Sequence, residues 1–468
     1  MKTSLFATTL LVLTAGAAMA DIVPQVSDVT IRQSADTRKV TVNYTLANAP
    51  AIVIVDICTN GVSIGDANLH YFTGDCNKVV QPGAKTVRWQ SDKSWPGHEI
   101  VGNHVTAKVY AWALDNPPDY MVADLLAENT VTYYTSTNAL PDGGLTNDVY
   151  RTDRIVMRRI HAKGESFTMG SRDLNSTDAQ YARETPHQAQ FDHDYWMAIY
   201  ELTGRQYAHM CGINRKAAWT MANGTMDTDG DVRPMINLSY NCLRESSNDS
   251  GDSTYRYPND PAPNSVLGRL RTRTGVAFDL PGEAEWEYAC RAGTAAGGYW
   301  NDGSRYILNF TQCNTSSGSG VQNGGNGRWG VDANLNNLAR YAMHDGMKLH
   351  SSGTYASGPA DWGADTSSGT AKVGSYLPNA WGLYDMHGNA AEICLDFYKE
   401  NIAGDNGAIN ATPNNDDTHV ARGGSYNWGP IECRSASRQT READRAYANS
   451  GDLRFFVDGC RLVCRIGE

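Results

Sequence analysis

Alternation of apolar and polar residues marks the first part of the chain as β-structure. Apolar side chains occupy every second position over residues 40–46 and again over residues 105–111. A period of two is typical of strands that bury one face. Residues 51–57 are rich in β-branched side chains, which predicts a buried strand. Turn residues such as Asn60-Gly61 separate these runs. We therefore expect several short antiparallel strands.

The pattern changes near residue 136, and few long periodic segments follow. Residues 137–150 are polar and contain Gly and Pro, which predicts a linker. Beyond the linker, residues 202–211 and 281–292 have helical periodicity. The sequence therefore predicts two units. The first is a small all-β sandwich of immunoglobulin-like type over residues 21–136. The second is a larger α+β unit of mostly irregular structure over residues 151–468.

The N-terminus has the features of a secretion signal. Lys2 supplies a positive charge, residues 5–15 are apolar, and Ala18-Met19-Ala20 matches the small-x-small cleavage pattern. The apolar run is shorter than a helix that spans a bilayer, so a retained membrane anchor is the less favoured alternative. We expect residues 1–20 to be removed and the mature chain to begin at Asp21. The mature protein is then secreted, either periplasmic or extracellular, without a membrane span.

Composition and charge narrow the classes of partner. Only 19% of the 468 residues are charged and 45 are glycine, which suits a loop-rich globular protein better than a disordered or coiled-coil chain. The net charge of -11 repels a nucleic-acid backbone, so no nucleic-acid partner is expected. The expected ligand is a protein or a small molecule, and the sequence does not identify it.

The chain contains ten cysteines, an even number that permits five disulfide bonds. An oxidising compartment outside the cytoplasm favours disulfides, and the cysteines lack the spacing of a zinc site. Cys58 and Cys76 both fall in the predicted sandwich. We therefore expect them to pair with each other within that unit.

Short motifs follow one another in a fixed order along the larger unit. They are FTMGS at 167–171, ETPH at 184–187 with YELT at 200–203, LPGEAEWEYACRAGT at 280–294, VGSYLPNAWGLYDMHGNAAEICLDFY at 373–398, RGGSY at 422–426 with CRSA at 433–436, and GCRLV at 459–463. Together they resemble the formylglycine-generating enzyme family, also called sulfatase-modifying factors, over about residues 151–466. The resemblance implies an irregular α+β fold of C-type-lectin-like kind for this unit.

The resemblance also implies a redox centre. Active members oxidise a cysteine of a sulfatase to formylglycine with molecular oxygen, using a copper(I) ion held by two cysteine thiolates, and soft sulfur ligands suit that ion. The serine of the family's GGS motif is Ser425, and the two copper positions are Trp428 and Cys433. Ser425 and Cys433 are therefore the catalytic candidates. Tryptophan offers no thiolate, and Ala391 replaces a pocket tryptophan of the family. We therefore do not expect copper to be retained.

Cys433 has a second interpretation. Many relatives carry the CRSA motif together with the EYAC motif, as in Cys433 and Cys290 here. The resemblance thus implies a structural Cys290–Cys433 disulfide, which we favour over a reactive thiol at Cys433. A disulfide that closes such a long loop stabilises a domain by about a few kcal/mol.

A calcium site is the second centre that the resemblance implies. The family holds this ion through an Asn or Asp, two backbone carbonyls and a Glu, and the matching positions are Asp385, Gly388, Ala390 and Glu392. Oxygen ligands of this kind suit Ca²⁺. The alternative is that the two carboxylates cap turns or pair with Arg434 or Arg438. A second calcium site of the family is not expected, because Met343 stands at its nearest matching position.

Two functional hypotheses remain open. The first is an enzyme of this family that acts on a protein or a thiol. The second is a non-catalytic module that binds a ligand on the same fold, which the missing copper cysteine favours. In the second case a recognition face near the RGGS and CRSA motifs is expected. Its candidate residues are Asn427, Trp428, Gln439, Arg441, Glu442 and Arg445.

Overall fold

The computed structural model describes most of the chain, with gaps. The described residues are 23–100, 104–171, 181–212, 232–246, 251–294, 300–304, 308–309, 331–342, 344, 369–414, 416–444 and 457–467. The predicted signal at 1–20 lies outside these ranges, as do Met343 and Arg445. Within the described ranges, no helix combines the length and apolar character needed to cross a membrane.

In the described residues, the N-terminal unit contains eight strands and one short helix. The strands are β1 (Gln25–Gln33), β2 (Val40–Ala47), β3 (Ala51–Thr59), β4 (Val62–Ser63), β5 (Phe72–Gly74), β6 (Lys78–Val80), β7 (Gly83–Trp89) and β8 (Val105–Trp112), and the helix is α1 (Ser91–Ser94). One sheet has the order β1-β2-β7-β5, and in the other β3 pairs with β8, β4 and β6. All of these pairs are antiparallel.

The inner faces of the two sheets form one core, as the alternating pattern predicts. Val40, Val42, Tyr44 and Leu46 of β2 are each at most 2% exposed. They pack against the inward side chains of β3 and against Trp89 at the end of β7. The predicted strands at 40–46, 51–57 and 105–111 are confirmed.

The predicted Cys58–Cys76 disulfide is wrong, since both residues are free thiols in the structure. Cys76 belongs to the sandwich core, which contains Val55 and Ile57 of β3. Successive side chains of a strand point to opposite faces. Cys58 therefore points away from that core, and its sulfur lies 3.5 Å from Asp56 Oδ2 on the outer face. The two sulfurs are held on opposite sides of one sheet.

The larger unit contains fifteen further strands and four helices in the described residues. The strands are β9 (Tyr120–Asp124), β10 (Val131–Tyr134), β11 (Arg154–Ile160), β12 (Ser166–Met169), β13 (His187–Gln190), β14 (Tyr195–Ala198), β15 (Leu308–Asn309), β16 (Val331–Asp332), β17 (Ala339–Arg340), β18 (His387–Gly388), β19 (Ala391–Phe397), β20 (Thr418–Arg422), β21 (Gln439–Glu442), β22 (Asp458–Gly459) and β23 (Val463–Arg465). The helices are α2 (Val149–Thr152), α3 (Gly204–Cys211), α4 (Val266–Thr274) and α5 (Glu283–Arg291). The predicted helices at 202–211 and 281–292 are thus confirmed as α3 and α5.

Two sheets organise this unit. The first is antiparallel with the order β10-β9-β11-β14-β23, and the second has the order β21-β20-β19-β22. Helix α5 packs against the second sheet: Ala284, Trp286 and Ala289 lie in one buried cluster with Cys394 of β19 and Val420 of β20. This arrangement makes the unit mixed α and β, as expected.

The predicted boundary between the units is wrong. Strands β9 and β10 lie before residue 136, yet β9 pairs with β11 of the larger unit. The predicted linker is also wrong, because Leu140 and Tyr150 are 1% and 0% exposed and pack with Val156 in one buried cluster. An alternating pattern identifies a strand, but it does not identify the sheet that the strand joins.

Candidate functional site

The segment that carries the predicted calcium residues is a tight buried loop. Asp385 and Asn389 have positive φ values of 56° and 61°, and Gly388 between them has φ 71°. A Cβ on Gly388 would lie 2.1 Å from the carbonyl oxygen of Arg340, so only glycine fits beside β17. These turns bring the side chains of Asp385 and Glu392 into the interior, where they are 2% and 0% exposed.

Glu392 is held by two donors. The guanidinium of Arg461 donates to both carboxylate oxygens, with Nη2 2.7 Å from Oε1 and Nε 3.0 Å from Oε2. The indole Nε1 of Trp286 donates to Oε2 at 2.5 Å. Arg461 also donates to the backbone carbonyls of Ala198 and Ile199, so the pair joins β19 to β14.

Glu201 is a third buried carboxylate in the same place, and the sequence analysis missed it. Its Oε1 accepts from the backbone N–H of Ala390 at 2.9 Å, and its Oε2 accepts from the Asn389 side chain at 2.5 Å. Burial, with added repulsion from Asp385 and Glu392, raises the pKa of Glu201 well above its ordinary value. The signal for Glu201 was its place in the YELT motif.

Asp385 is only partly satisfied. Its Oδ2 accepts from the backbone N–H of Gly374 at 2.6 Å, whereas its Oδ1 is buried and has no hydrogen-bond partner among the described residues. Burial raises the pKa of Asp385 to about 6. Three buried carboxylates lie near the guanidinium of Arg461, and Arg151 also acts on Asp385, so negative charge is in excess when all three carboxylates are ionised. A cation beside Asp385 Oδ1 would satisfy the free oxygen and offset that charge.

The fit to calcium differs between the predicted ligands. Asp385 offers a free oxygen, whereas both oxygens of Glu392 already accept hydrogen bonds from Arg461 and Trp286. Among the described residues, no three His, Cys, Asp or Glu side chains are grouped as metal ligands. The other two predicted ligands, Gly388 and Ala390, would contribute backbone carbonyls and not side chains.

The alternative pairing of these carboxylates with Arg434 or Arg438 is wrong. Arg434 makes a bidentate pair with Glu184, at 2.9 and 2.8 Å. Arg438 pairs with Glu283 at the start of α5. The arginine that pairs with Glu392 is Arg461. It lies within the quoted GCRLV motif at 459–463, which was the available signal.

Cys433 and Ser425 come together, but in a closed interior. Both side chains are 0% exposed. A Cβ added to Gly424 would lie 2.7 Å from Cys433 Sγ, so the sulfur fills the space beside that glycine. Burial, with the charge of Glu432 adding to it, raises the pKa of the Cys433 thiol. A buried, protonated thiol is neither a nucleophile nor a metal ligand in this state.

The predicted Cys290–Cys433 disulfide is also wrong, because both residues are free thiols. The imidazole of His387 lies between Cys290 Sγ and the backbone of Cys433. Its Nε2 is 3.9 Å from that sulfur and accepts from the backbone N–H of Asn301 at 2.9 Å. Its Nδ1 therefore carries the proton and donates to the Cys433 carbonyl at 2.7 Å. Burial lowers the pKa of His387 to about 4, so it stays neutral.

The predicted recognition face is divided by the structure. Asn427, Trp428 and Glu442 are partly exposed. Gln439 and Arg441 are only 6% and 7% exposed, which contradicts their predicted place on a binding surface. Arg441 is occupied in the interior. It pairs with Asp458 at 2.5 Å, donates to Gln439 at 2.9 Å, and lies 5.0 Å from the ring of Trp428.

Comparison with known proteins identifies the family. A model of the sulfatase-modifying factor enzyme 1-like domain matches residues 150–456, well over half of the chain. The chain belongs to this family. The match also supports the C-type-lectin-like fold expected for the larger unit.

Two curated relatives are named formylglycine-generating enzyme. The one from Streptomyces coelicolor is 28% identical over 177 residues, which are 38% of this chain and 45% of the relative. The one from Thermomonospora curvata is 28% identical over 210 residues, which are 43% of this chain and 57% of the relative. The chain thus spans about half the length of the curated relatives it matches.

Similar solved structures include two bacterial proteins. PvdO from Pseudomonas aeruginosa has 19% identity and a TM-score of 0.39, covering 66% of this chain and 94% of that chain. Treponema denticola variable protein 1 has 20% identity and a TM-score of 0.41, covering 67% and 95%.

Proposed function

We propose that this chain is a secreted member of the sulfatase-modifying factor family that binds a ligand and does not oxidise cysteine. The observation that carries the proposal is the closed environment of Cys433. The expected copper site needs two thiolates, and here Trp428 stands at one position while the other is a buried thiol with a raised pKa. Without a second sulfur at position 428, the residues do not fit copper(I).

The test compares this protein with an active relative. Purified protein is loaded with Cu(I), freed of excess metal and incubated in air with a peptide that carries a sulfatase-type cysteine. We expect no retained copper and no formylglycine by mass spectrometry, while the Streptomyces coelicolor relative serves as the positive control. Formylglycine in the peptide, made by the unmodified protein, would overturn the proposal.

The ligand surface is proposed around the partly exposed Asn427 and Trp428. The lost copper position lies at this surface, and the partly exposed indole of Trp428 is a large apolar contact of the kind that binding sites use. Photocross-linking in culture fluid tests this surface. One variant carries a photoreactive group at Asn427, and the control carries it at the exposed Asn116. Equal cross-linking at both positions would contradict it.

Calcium is proposed as a structural ion beside Asp385. The free Oδ1 of Asp385 and the excess of carboxylate over guanidinium support this proposal. The ion would bind to Asp385 and the carbonyls of Gly388 and Ala390, and it would fix the loop without taking part in chemistry. Calcium at 100 times its dissociation constant then adds about 2.7 kcal/mol to stability. Unchanged melting with calcium and with EDTA would contradict the proposal.

The remaining proposals concern the N-terminal unit and the compartment. The sheet order β1-β2-β7-β5 matches the A-B-E-D sheet of constant-type immunoglobulin domains, which supports an immunoglobulin-like classification. Secretion is supported by the signal-like residues 1–20. N-terminal sequencing of protein recovered outside the cytoplasm should begin at Asp21, and an intact Met1 would contradict cleavage.

A further inference from the structure

A cavity of about 130 Å³ lies on the outer face of the sheet that contains β3 and β8. Its floor includes Ile54 and Asp56 of β3, whose side chains point away from the sandwich core. Tyr134 of β10, in the larger unit's first sheet, and Ala139 also line the cavity. The cavity therefore lies where the two units meet. It is separate from the loop at 385–392 and from Cys433.

The size of this cavity suits a small organic group. Its volume is close to that of a cavity of about 150 Å³ known to accommodate benzene. The walls are mixed in character. Phe72, Tyr110 and Tyr134 supply aromatic surface, and Asp56 and Asp66 supply carboxylates. Tyr110 is 47% exposed, which places an aromatic ring where a ligand can reach it.

The charge of the lining has one sign. No Lys, Arg or His is among the residues that line the cavity in the described part of the chain. Asp56 accepts from Ser63 Oγ at 2.7 Å, and Asp66 accepts from Ser136 Oγ at 2.5 Å, so hydroxyl groups orient both carboxylates. Lys108 lies opposite Asp56 in the β3–β8 register, but its side chain is exposed and forms no ion pair within 4 Å in the described structure.

We propose that this cavity binds a guanidinium compound. A planar cation can stack on the tyrosine and phenylalanine rings while its N–H groups donate to the Asp56 and Asp66 carboxylates. A primary ammonium group has the same charge but lacks the flat face that the aromatic walls favour. A neutral ligand would make no charge-assisted hydrogen bond to either carboxylate.

Calorimetry of the full mature chain with L-arginine amide tests the proposal. We expect saturable binding, no binding of citrulline amide, in which an uncharged ureido group replaces the guanidinium, and weaker binding of lysine amide. Asp56→Asn and Asp66→Asn keep the acceptor oxygen for the neighbouring serine. Each substitution should weaken the binding of arginine amide by at least about tenfold. Asp115→Asn, at an exposed position away from the cavity, is the matched control and should bind as the parent does.

Three results would overturn the proposal: absence of saturable binding, citrulline binding as tightly as arginine, or unchanged affinity in both aspartate variants. If circular dichroism shows that an aspartate variant is unfolded, Tyr110→Ala is measured in its place, because this partly exposed ring can be removed without opening the core. Unchanged affinity of Tyr110→Ala for arginine amide would then overturn the proposal. A blocked tripeptide with a central arginine identifies the source of the guanidinium group. Binding as tight as arginine amide indicates a protein side chain, and weaker binding indicates a free small molecule.

Discussion

Arg461 and Glu392 form a bidentate ion pair in which both side chains are 0% exposed. The pair joins the loop at 385–392 to the strand that precedes Glu201. Removing one partner of a buried pair leaves the other charge without compensation, which is more costly than losing an exposed pair.

The first prediction concerns this pair. Arg461→Met keeps most of the side-chain volume and leaves Glu392 charged and buried, so we expect a loss of about 3–5 kcal/mol of stability in urea unfolding. The exposed pair of Arg38 and Glu99, with side chains 68% and 62% exposed, is the control. Arg38→Met should cost at most about 1 kcal/mol. Equal losses in the two variants would show that burial does not set the cost.

The second prediction separates backbone strain from lack of space. Gly424 and Gly382 have similar φ values, 71° and 78°. A Cβ at Gly424 would lie 2.7 Å from Cys433 Sγ, whereas a Cβ at Gly382 has nothing within 4 Å. Gly382→Ala should cost about 1–2 kcal/mol from its backbone conformation alone. Gly424→Ala should cost about 1–3 kcal/mol more. Similar melting temperatures for both variants would argue against the tight packing of Cys433.

The third prediction concerns acid stability. Burial lowers the pKa of His419 to about 3, below its ordinary value of 6.5. A lowered pKa in the folded state stabilises the fold above pH 6.5, and this stability is lost as the pH falls toward 3. Between pH 7 and 4.5 the loss from this residue is about 2–3 kcal/mol.

The variant His419→Phe keeps the stacking on Tyr240, whose ring centroid is 3.5 Å away, and removes the titration. Its unfolding free energy should therefore fall less between pH 7 and pH 4.5 than that of the parent. Parallel curves for the parent and His419→Phe would contradict the buried, neutral state of His419.

The fourth prediction concerns cysteine connectivity. Because Cys58 and Cys76 point to opposite faces of one sheet, peptide mapping without reduction should not detect a peptide pair joined through them. Native protein should also react slowly with an alkylating reagent at Cys433, which is 0% exposed, and faster after unfolding in urea. A Cys58–Cys76 linked peptide would require a different register between β3 and β6.

The sequence predicted the local elements that its patterns encode directly. The period of two over residues 40–46 and the helical period over residues 281–292 depend only on neighbouring residues, and both elements were confirmed. The motif order was enough to identify the family. The positions of Asp385 and Glu392 in one buried loop also follow from a short continuous segment.

What the sequence could not supply depends on residues far apart in the chain. The Cys58–Cys76 pairing failed because strand register and facing, not shared location in one unit, decide which sulfurs can meet. The unit boundary failed because β9 and β10 join the sheet of the residues that follow them. Gln439 and Arg441 were misplaced on the surface because Asp458, a distant residue, binds Arg441 in the interior.

The sequence by itself thus determined three strands of the N-terminal unit, two helices of the larger unit and the family, since each is written in consecutive residues. Only the tertiary structure decided that Cys433 is enclosed, that Glu201 lies near Asp385, and that Arg461 neutralises Glu392. These contacts bring together segments as distant as residues 201, 392 and 461, and packing of the whole chain is what fixes their geometry.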